Sequence, residues 1–396
     1  MRKVVLAITL LSVSGLLGCQ GEAKKPPATQ AALKNWNATR AVVLIGLARD
    51  QYNNCAFDKC RITIDEAIKL SPDTAPARIL SAKLFIESGQ LEAAERELIQ
   101  ARQFDPTNAE ADYLSGIVCQ RWEQPERALE FYQLACERSP AELAYVLAKA
   151  EMLVDMHRRP EALAILQDKV TYFEHSGTIR DEVGLLLIQE HRYDEAVEML
   201  RRASILASDD LTIREHLATA LFDAKNYSDC ADVLTDLTNH TPYDQRANLW
   251  MTLGQCQLQL SRATDAVRAL QQAANLQPNN AGVWLELAQC QAQLGDLPRA
   301  DSDVRRSLSL DASVSQAHLL AGFIALRQSR LQESLDRFYR AAQLDPSDTV
   351  SLCMVGLSLQ KMGRSAEALQ WYRQALKLKP DDEMAAHLMA LLDLHE

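Results

Sequence analysis

Residues 250–278 read WMTLGQCQLQLSRATDAVRALQQAANLQP. Trp250, Leu253 and Gly254 place a bulky residue, an apolar residue and a very small one on one face of a helix. Ala266, Leu270 and Ala273 follow at spacings of four and three, which is again one helical face. Small residues at 254, 266 and 273 let two antiparallel helices approach closely, and Pro278 stops the second. The stretch therefore predicts a tight helix–turn–helix of about one period, and the rest of the chain repeats it.

Prolines that close second helices stand at Pro72, Pro106, Pro140, Pro242, Pro278, Pro346 and Pro380. The first three and the last two are 34 apart, and Glu174, Ser208 and Ala312 occupy the slots where a proline is missing. Between Pro242 and Pro278 the spacing is 36, so two residues are inserted around Tyr243 to Arg246. The register gives ten units, starting near 41, 75, 109, 143, 177, 211, 247, 281, 315 and 349. Residues that did not define it agree with it. One slot in the first helix holds Ala48, Ala82, Gly116, Ala150, Gly184, Ala218, Gly254, Ala288, Gly322 and Gly356. The matching slot in the second helix holds Cys60, Ala94, Ala128, Ala162, Ala196, Cys230, Ala266, Ala300, Ser334 and Ala368. Gly89, Gly295 and Gly363 share a turn position suited to a left-handed residue, and Pro125, Pro160 and Pro298 sit just inside second helices.

This pattern resembles the tetratricopeptide repeat, a 34-residue helix–turn–helix unit. The resemblance covers everything downstream of the leader. It implies an all-α fold, a right-handed α-solenoid of about ten helix–turn–helix repeats over residues 41–380, with a C-terminal capping helix over 381–396. Lys169 and Glu174 in the fourth unit, Leu237 in the sixth and the insertion before the seventh depart from the pattern. An irregular packing joint is the simpler reading of these departures, and a hinge the sharper one.

Residues 1–18 are expected to lie outside the fold. Arg2 and Lys3 precede an apolar run over 4–17, too short to span a bilayer comfortably and the right length for a signal-peptide core. The run ends in Leu16, Leu17, Gly18 and Cys19, which resembles the lipobox of bacterial lipoproteins, although Leu17 is less usual there than a smaller residue. That resemblance implies cleavage before Cys19, a diacylglyceryl group on its thiol and an acylated amine. Gln20 rather than Asp at the next position implies the outer membrane, facing the periplasm, where the cell has one. An ordinary secretory signal or a retained anchor is the alternative. Acyl chains hold a protein on a bilayer because each buried methylene contributes about 0.8 kcal/mol. Residues 19–40 then read as a lipidated N-terminus and a flexible tether, polar with Lys24, Lys25, Pro26 and Pro27.

Composition narrows the function. The chain has 396 residues and a net charge of −11, which disfavours nonspecific nucleic-acid binding because that needs a basic surface. There is no nucleophile elbow, phosphate-binding glycine loop, H-E-x-x-H or C-x-x-C, and the eight histidines have no recurring metal-ligand spacing. Enzyme activity, a cofactor and a metal are not expected. Of nine cysteines, Cys19 is the lipid site that the lipobox resemblance implies. Cys60 and Cys230 read as small packing residues, and Cys256 and Cys290 repeat one position in adjacent units. Cys55 and Cys60 bracket the first turn and are the best-placed pair for a disulfide.

Function then falls to a surface. In the family that this sequence resembles, first helices line a concave groove that takes extended peptides or single helices. Carrying those positions over gives Lys83, Tyr113 and Arg121 in the early units. The middle units give Glu151, Asp155, Asp181, Glu215, Phe222 and Asp223, and the later ones Gln255, Gln289 and Phe323. The groove reads as acidic at its centre, which predicts a protein partner with a basic segment; simple solvation of those acids is the competing reading. The Lys/Asn clamp of cytosolic cochaperones does not appear in this register. The expected function is a membrane-tethered scaffold for protein partners, assisting assembly of an envelope complex such as a pilus, secretion or exopolysaccharide system. The alternative is a regulatory adaptor that positions an envelope enzyme such as a cell-wall hydrolase or protease.

Overall fold

Every period of the sequence becomes two helices, because its apolar residues fall on two helical faces separated by a short polar turn. The computed structural model describes residues 27–393; the signal segment over 1–18, Cys19 and residues 394–396 lie outside them. The described residues fall into two compact units, divided between His157 and Arg158.

The N-terminal unit contains α1 (Pro27–Asn53), α2 (Phe57–Leu70), α3 (Ala75–Glu87), α4 (Leu91–Phe104), α5 (Ala109–Arg121), α6 (Pro125–Arg138) and α7 (Leu143–Asp155). The C-terminal unit begins with α8 (Arg159–Val170), α9 (Gly177–Gln189), α10 (Tyr193–Leu206), α11 (Leu211–Asp223) and α12 (Tyr227–Leu237). It continues through a short 3₁₀ turn, Tyr243–Gln245, to α13 (Ala247–Gln259), α14 (Ala263–Leu276), α15 (Ala281–Gln293) and α16 (Leu297–Leu310). It ends with α17 (Ser315–Arg327), α18 (Leu331–Leu344), α19 (Thr349–Lys361), α20 (Ser365–Leu378) and α21 (Glu383–Asp393). From α3 onward, every first helix starts at the residue that the register predicts. The division between the two units falls at the turn of the fourth repeat, and the inserted residues before the seventh form the 3₁₀ turn.

One boundary differs. The polar stretch expected to be a flexible tether through residue 40 is helical from Pro27, so α1 runs 27 residues. Ala31, Ala32, Leu33 and Lys34 are strong helix formers, and Pro27 fits the first helical position, where no N–H is needed. Helix propensity outweighs the polar composition, and the first repeat gains several extra turns at its start.

Packing within each pair follows one rule. The residue sixteen after the small slot of the first helix is buried against that slot. Ala48, Ala82, Ala218 and Ala288 share their repeats with Ile64, Leu98, Leu234 and Val304, all of them buried. Where the slot is glycine, the partner comes closer or is larger: Tyr132 on Gly116, Leu200 on Gly184, Leu270 on Gly254, Phe338 on Gly322 and Tyr372 on Gly356. The two buried tyrosines satisfy their hydroxyls in the same way, Tyr132 on Gln120 at 2.6 Å and Tyr372 on Gln360 at 2.9 Å.

Turns repeat as closely. The residue that ends each first helix has a left-handed backbone in all ten repeats: Gly89, Gly295 and Gly363, but also Cys55, Glu123, His157, His191, Lys225, Ser261 and Ser329. Between repeats, Asp105, Asp311 and Asp345 accept from the backbone N–H two residues on, at 3.2, 2.8 and 3.1 Å, which closes the loop after the second helix. A donor on the fourth residue of several first helices then ties that loop down. Trp250 Nε1 donates to the Asp244 carbonyl and Trp284 Nε1 to that of Pro278, both at 2.9 Å. His318 Nε2 donates to Ala312 at 3.1 Å, and Arg78 and Arg214 reach the carbonyls of Pro72 and Ser208.

The two expected cysteine partners are apart in character. Cys55 is an exposed free thiol on the turn, whereas Cys60 is buried and donates to the Ala48 carbonyl at 3.1 Å, so no disulfide joins them. Cys230 repeats that bond to Ala218 at 3.3 Å. At the C-terminal end, α21 caps the last repeat: Ala385 and Leu392 are buried, and Leu388 packs on the clusters around Cys353 and Tyr372. Asp382 starts that helix, accepting from the Ala385 N–H at 2.9 Å and the Thr349 hydroxyl at 2.7 Å.

Candidate functional site

The first helices of the N-terminal unit, α1, α3, α5 and α7, carry the early groove positions. A cleft of about 370 Å³ is lined by Arg49, Tyr52, Asn53, Pro76, Ile79, Leu80, Lys83 and Glu110. Lys83 stands in its wall, its ammonium 2.5 Å from Glu110 Oε1 and 6.0 Å from the centre of the Tyr52 ring. The Tyr52 hydroxyl donates to Glu87 at 3.2 Å, and burial together with that carboxylate pushes the phenol up to about 12.

Tyr113 stands one turn after Glu110 on α5. Its ring is 4.8 Å from that of Tyr145 on α7, centre to centre, and 5.8 Å from that of Tyr132. Carboxylates lie within electrostatic reach of the first two phenols. Burial and then Glu151 and Glu142 raise the Tyr113 phenol, while burial and then Glu110 and Glu142 push Tyr145 up to about 12. Glu142, Glu151 and Asp155 are exposed, and no ion pair engages them among the described residues. Two half-buried phenol rings with exposed carboxylates in electrostatic reach can hold an ammonium or guanidinium group by cation–π attraction and charge together. Tyr145 and Glu142 were not among the positions carried over from the sequence. Tyr145 occupies the third position of its repeat, a place that no periodicity argument marks.

Several other expected groove residues have structural partners instead. Arg121 ends α5 and donates from Nη1 to the Ile86 carbonyl at 2.7 Å, capping the last turn of α3. Asp181 is buried on α9 and accepts from His216 Nδ1 at 2.8 Å. Glu215 takes both guanidinium nitrogens of Arg246, at 2.5 and 2.6 Å. Asp181 is therefore held by a histidine and Glu215 by an arginine of the chain itself, so neither is free for a partner's cation. Asp223 ends α11 next to the α9–α10 turn, sharing a shallow hollow with His191, Tyr193 and Lys225. Phe222 packs edge-on against Tyr227, 5.8 Å between ring centres. Phe323 packs edge-on against Phe338 at 5.2 Å and joins the apolar core of the last repeats. A helical position alone does not separate a groove aromatic from a core aromatic when the helix is packed on two sides.

Gln255 and Gln289 are half-buried on α13 and α15. Gln255 donates to Glu286 Oε1 at 2.5 Å, while Glu286 Oε2 is buried without a partner, and burial raises the carboxyl. Among the described residues, no group of histidines, cysteines and carboxylates has the arrangement of a metal site, and no helix is long and apolar enough to cross a membrane.

Three family models, each described as tetratricopeptide repeat, match the chain. One covers residues 79–142 and 293–349, one 187–256 and 257–302, and one 350–382. Among solved structures, the C-terminal part of a repeat protein from Cytophaga hutchinsonii is 14% identical with a TM-score of 0.50, covering 61% of this chain and 98% of that one. The Cut9 and Hcn1 hetero-tetramer of the APC/C is 12% identical with a TM-score of 0.44, over 92% of this chain and 99% of that one. MamA from Desulfovibrio magneticus is 12% identical with a TM-score of 0.41, over 44% of this chain and 97% of that one. Likeness at such identities concerns the fold alone. A search of curated proteins finds no match.

Proposed function

We propose that this chain, which belongs to the tetratricopeptide-repeat family, is a protein–protein interaction scaffold that a lipidated Cys19 holds on a membrane of the cell envelope. Its task is to hold a partner for assembly of an envelope complex. The tether comes from the apolar run over 4–17 that ends at Gly18 and Cys19, both outside the described residues. The interaction role is supported by the fold, whose buried side chains are spent on helix packing and whose first helices leave polar and aromatic groups exposed.

One observation carries the choice of partner: the Tyr113 and Tyr145 rings, 4.8 Å apart, with exposed Glu142 and Glu151 within electrostatic reach. A segment bearing lysine or arginine suits this surface. The expected basic partner is thereby kept, but its place moves to the third and fourth repeats, because Asp181 and Glu215 are already paired. Crosslinking pull-down from envelope fractions tests it, comparing wild type with Glu142→Gln, Glu151→Gln and Asp155→Asn combined. Loss of one partner from the variant, with unchanged circular dichroism, supports the reading. Retention of every partner removes it.

A further inference from the structure

The geometry points to α1 as a second membrane contact: its exposed apolar stripe rests on the anionic surface of a lipid bilayer. This rests on the membrane reading above. Leu33, Trp36, Val43 and Leu47 recur at spacings of three, seven and four, so they form one stripe about 21 Å long on the helix. All four are exposed, between 49% and 68%, while Ala41, Ile45 and Ala48 turn the opposite side of α1 into the core. Ile62 of α2, 71% exposed, extends the patch: it stands one turn before Glu66, which binds Arg40 at 2.5 Å. Scattered apolar residues on a surface need no account, but a continuous stripe on a helix does.

Three features select a bilayer as the occupant. The first is charge. Residues 20–40 carry Lys24, Lys25, Lys34 and Arg40 against Glu22, a net +3 in a chain whose net charge is −11. A basic segment on an acidic protein is suited to an anionic lipid surface. The second is composition: a tryptophan among aliphatic residues with an arginine between them fits the headgroup boundary, where Trp sits with one wet edge and Arg extends to phosphate. Third is place. Pro27 follows Cys19 by eight residues, which keeps the start of α1 within about 30 Å of the lipid attachment even when the chain is extended.

A second copy fits worse. Arg40 is the midpoint of the stripe, so a parallel or antiparallel pairing centred on it sets Arg40 against Arg40, and each has only Glu66 to answer it. On a bilayer the same side chain meets phosphate.

The test uses the processed chain, residues 19–396, with Cys19→Ser so that no lipid is attached; every core cluster described above begins at or after Ala41. Wild type is compared with Leu33→Gln, Trp36→Gln, Val43→Gln and Leu47→Gln combined, changes at exposed positions whose folding circular dichroism checks. Flotation is measured with vesicles of phosphatidylethanolamine containing 30% phosphatidylglycerol and with neutral phosphatidylcholine vesicles. The expected result is binding to the anionic vesicles that falls about tenfold or more in the variant and on neutral lipid. Failure to float with anionic vesicles, or equal flotation of the variant, overturns the inference. So does a dimer in sedimentation that the variant dissolves, which would assign the stripe to a second copy. Fatty-acid labelling of the full chain tests Cys19 separately: flotation without labelling keeps the inference and removes the anchor, and labelling without flotation does the reverse.

Discussion

Replacing Gly356 by alanine should destabilise the last repeat, whereas the same change at Gly46 should stabilise the first. A Cβ built on Gly356 lies 2.4 Å from Tyr372 Cε1, 2.8 Å from Cδ1 and 2.9 Å from Cζ. Carbon atoms in contact prefer about 3.5–4.0 Å, so the ring must retreat by roughly 1 Å. Tyr372 has little room to do so. It is fully buried in a cluster with Val355, Leu359 and Leu392, and its hydroxyl is held by Gln360 at 2.9 Å. Overpacking of this kind costs about 1–3 kcal/mol, and the helix preference of alanine over glycine returns up to about 1 kcal/mol. The net loss is about 1–2 kcal/mol. At Gly46 nothing lies within 4 Å of the added carbon, so only the helix preference acts, a gain of about 0.5–1 kcal/mol. Repeat arrays do not unfold as one two-state unit, so native-state hydrogen exchange is the suitable assay. Amides of α19 and α20 should exchange about 5–30-fold faster in Gly356→Ala, and those of α1 and α2 about 2–5-fold slower in Gly46→Ala. Adding Tyr372→Leu to Gly356→Ala recreates the pairing of Ala82 with Leu98 and should recover part of the loss. Equal exchange in the two single variants, or a further loss in the double variant, would refute the packing rule.

Three more perturbations follow from local geometry. Ser329 has φ of 62°, a conformation that L side chains resist, so Ser329→Gly should raise the stability of the α17–α18 pair by about 0.5–1 kcal/mol in the same exchange experiment. His216 is raised above its ordinary 6.5 by the hydrogen bond to Asp181, opposed by burial. A histidine so raised contributes stability that is present below pH 6.5 and lost as pH climbs through the raised value. The melting-temperature advantage of wild type over His216→Gln should therefore shrink between pH 6 and pH 8, measured by circular dichroism, and a growing advantage would contradict the pair. Glu286 is shifted the other way for an acid, up from 4.5 by burial, so its penalty grows as pH rises past that value. Glu286→Gln should be the more stable protein at pH 8 by about 1 kcal/mol, with the gap closing toward pH 4.

The architecture was legible because a 34-residue period imposes the same burial problem ten times, and small residues at fixed spacing solve it in a way that a sequence displays. Helix starts from α3 onward follow directly from it. What stayed hidden has one physical cause: a residue's role in a stacked repeat depends on what neighbouring helices put opposite it. Glycine and alanine look interchangeable in the small slot until the residue sixteen positions later is seen to press on it, with the aromatic Tyr132, Phe338 and Tyr372 admitted only by glycine. Trp250, His318 and Arg78 share no chemistry that a pattern search would group, yet all three donate to the carbonyl six residues before them. Seven of the ten left-handed turn residues are not glycine, because a helix end closed by backbone hydrogen bonds can hold Glu123 or Lys225 there as well. The surface was least legible. Sequence position put Asp181, Glu215 and Arg121 in the groove as available charges, but His216, Arg246 and the Ile86 carbonyl claim them. Period and composition determine that this chain is an α-solenoid; only the tertiary contacts decide which of its charges and rings remain for a partner, since each such contact joins residues 31–35 positions apart that no local pattern pairs.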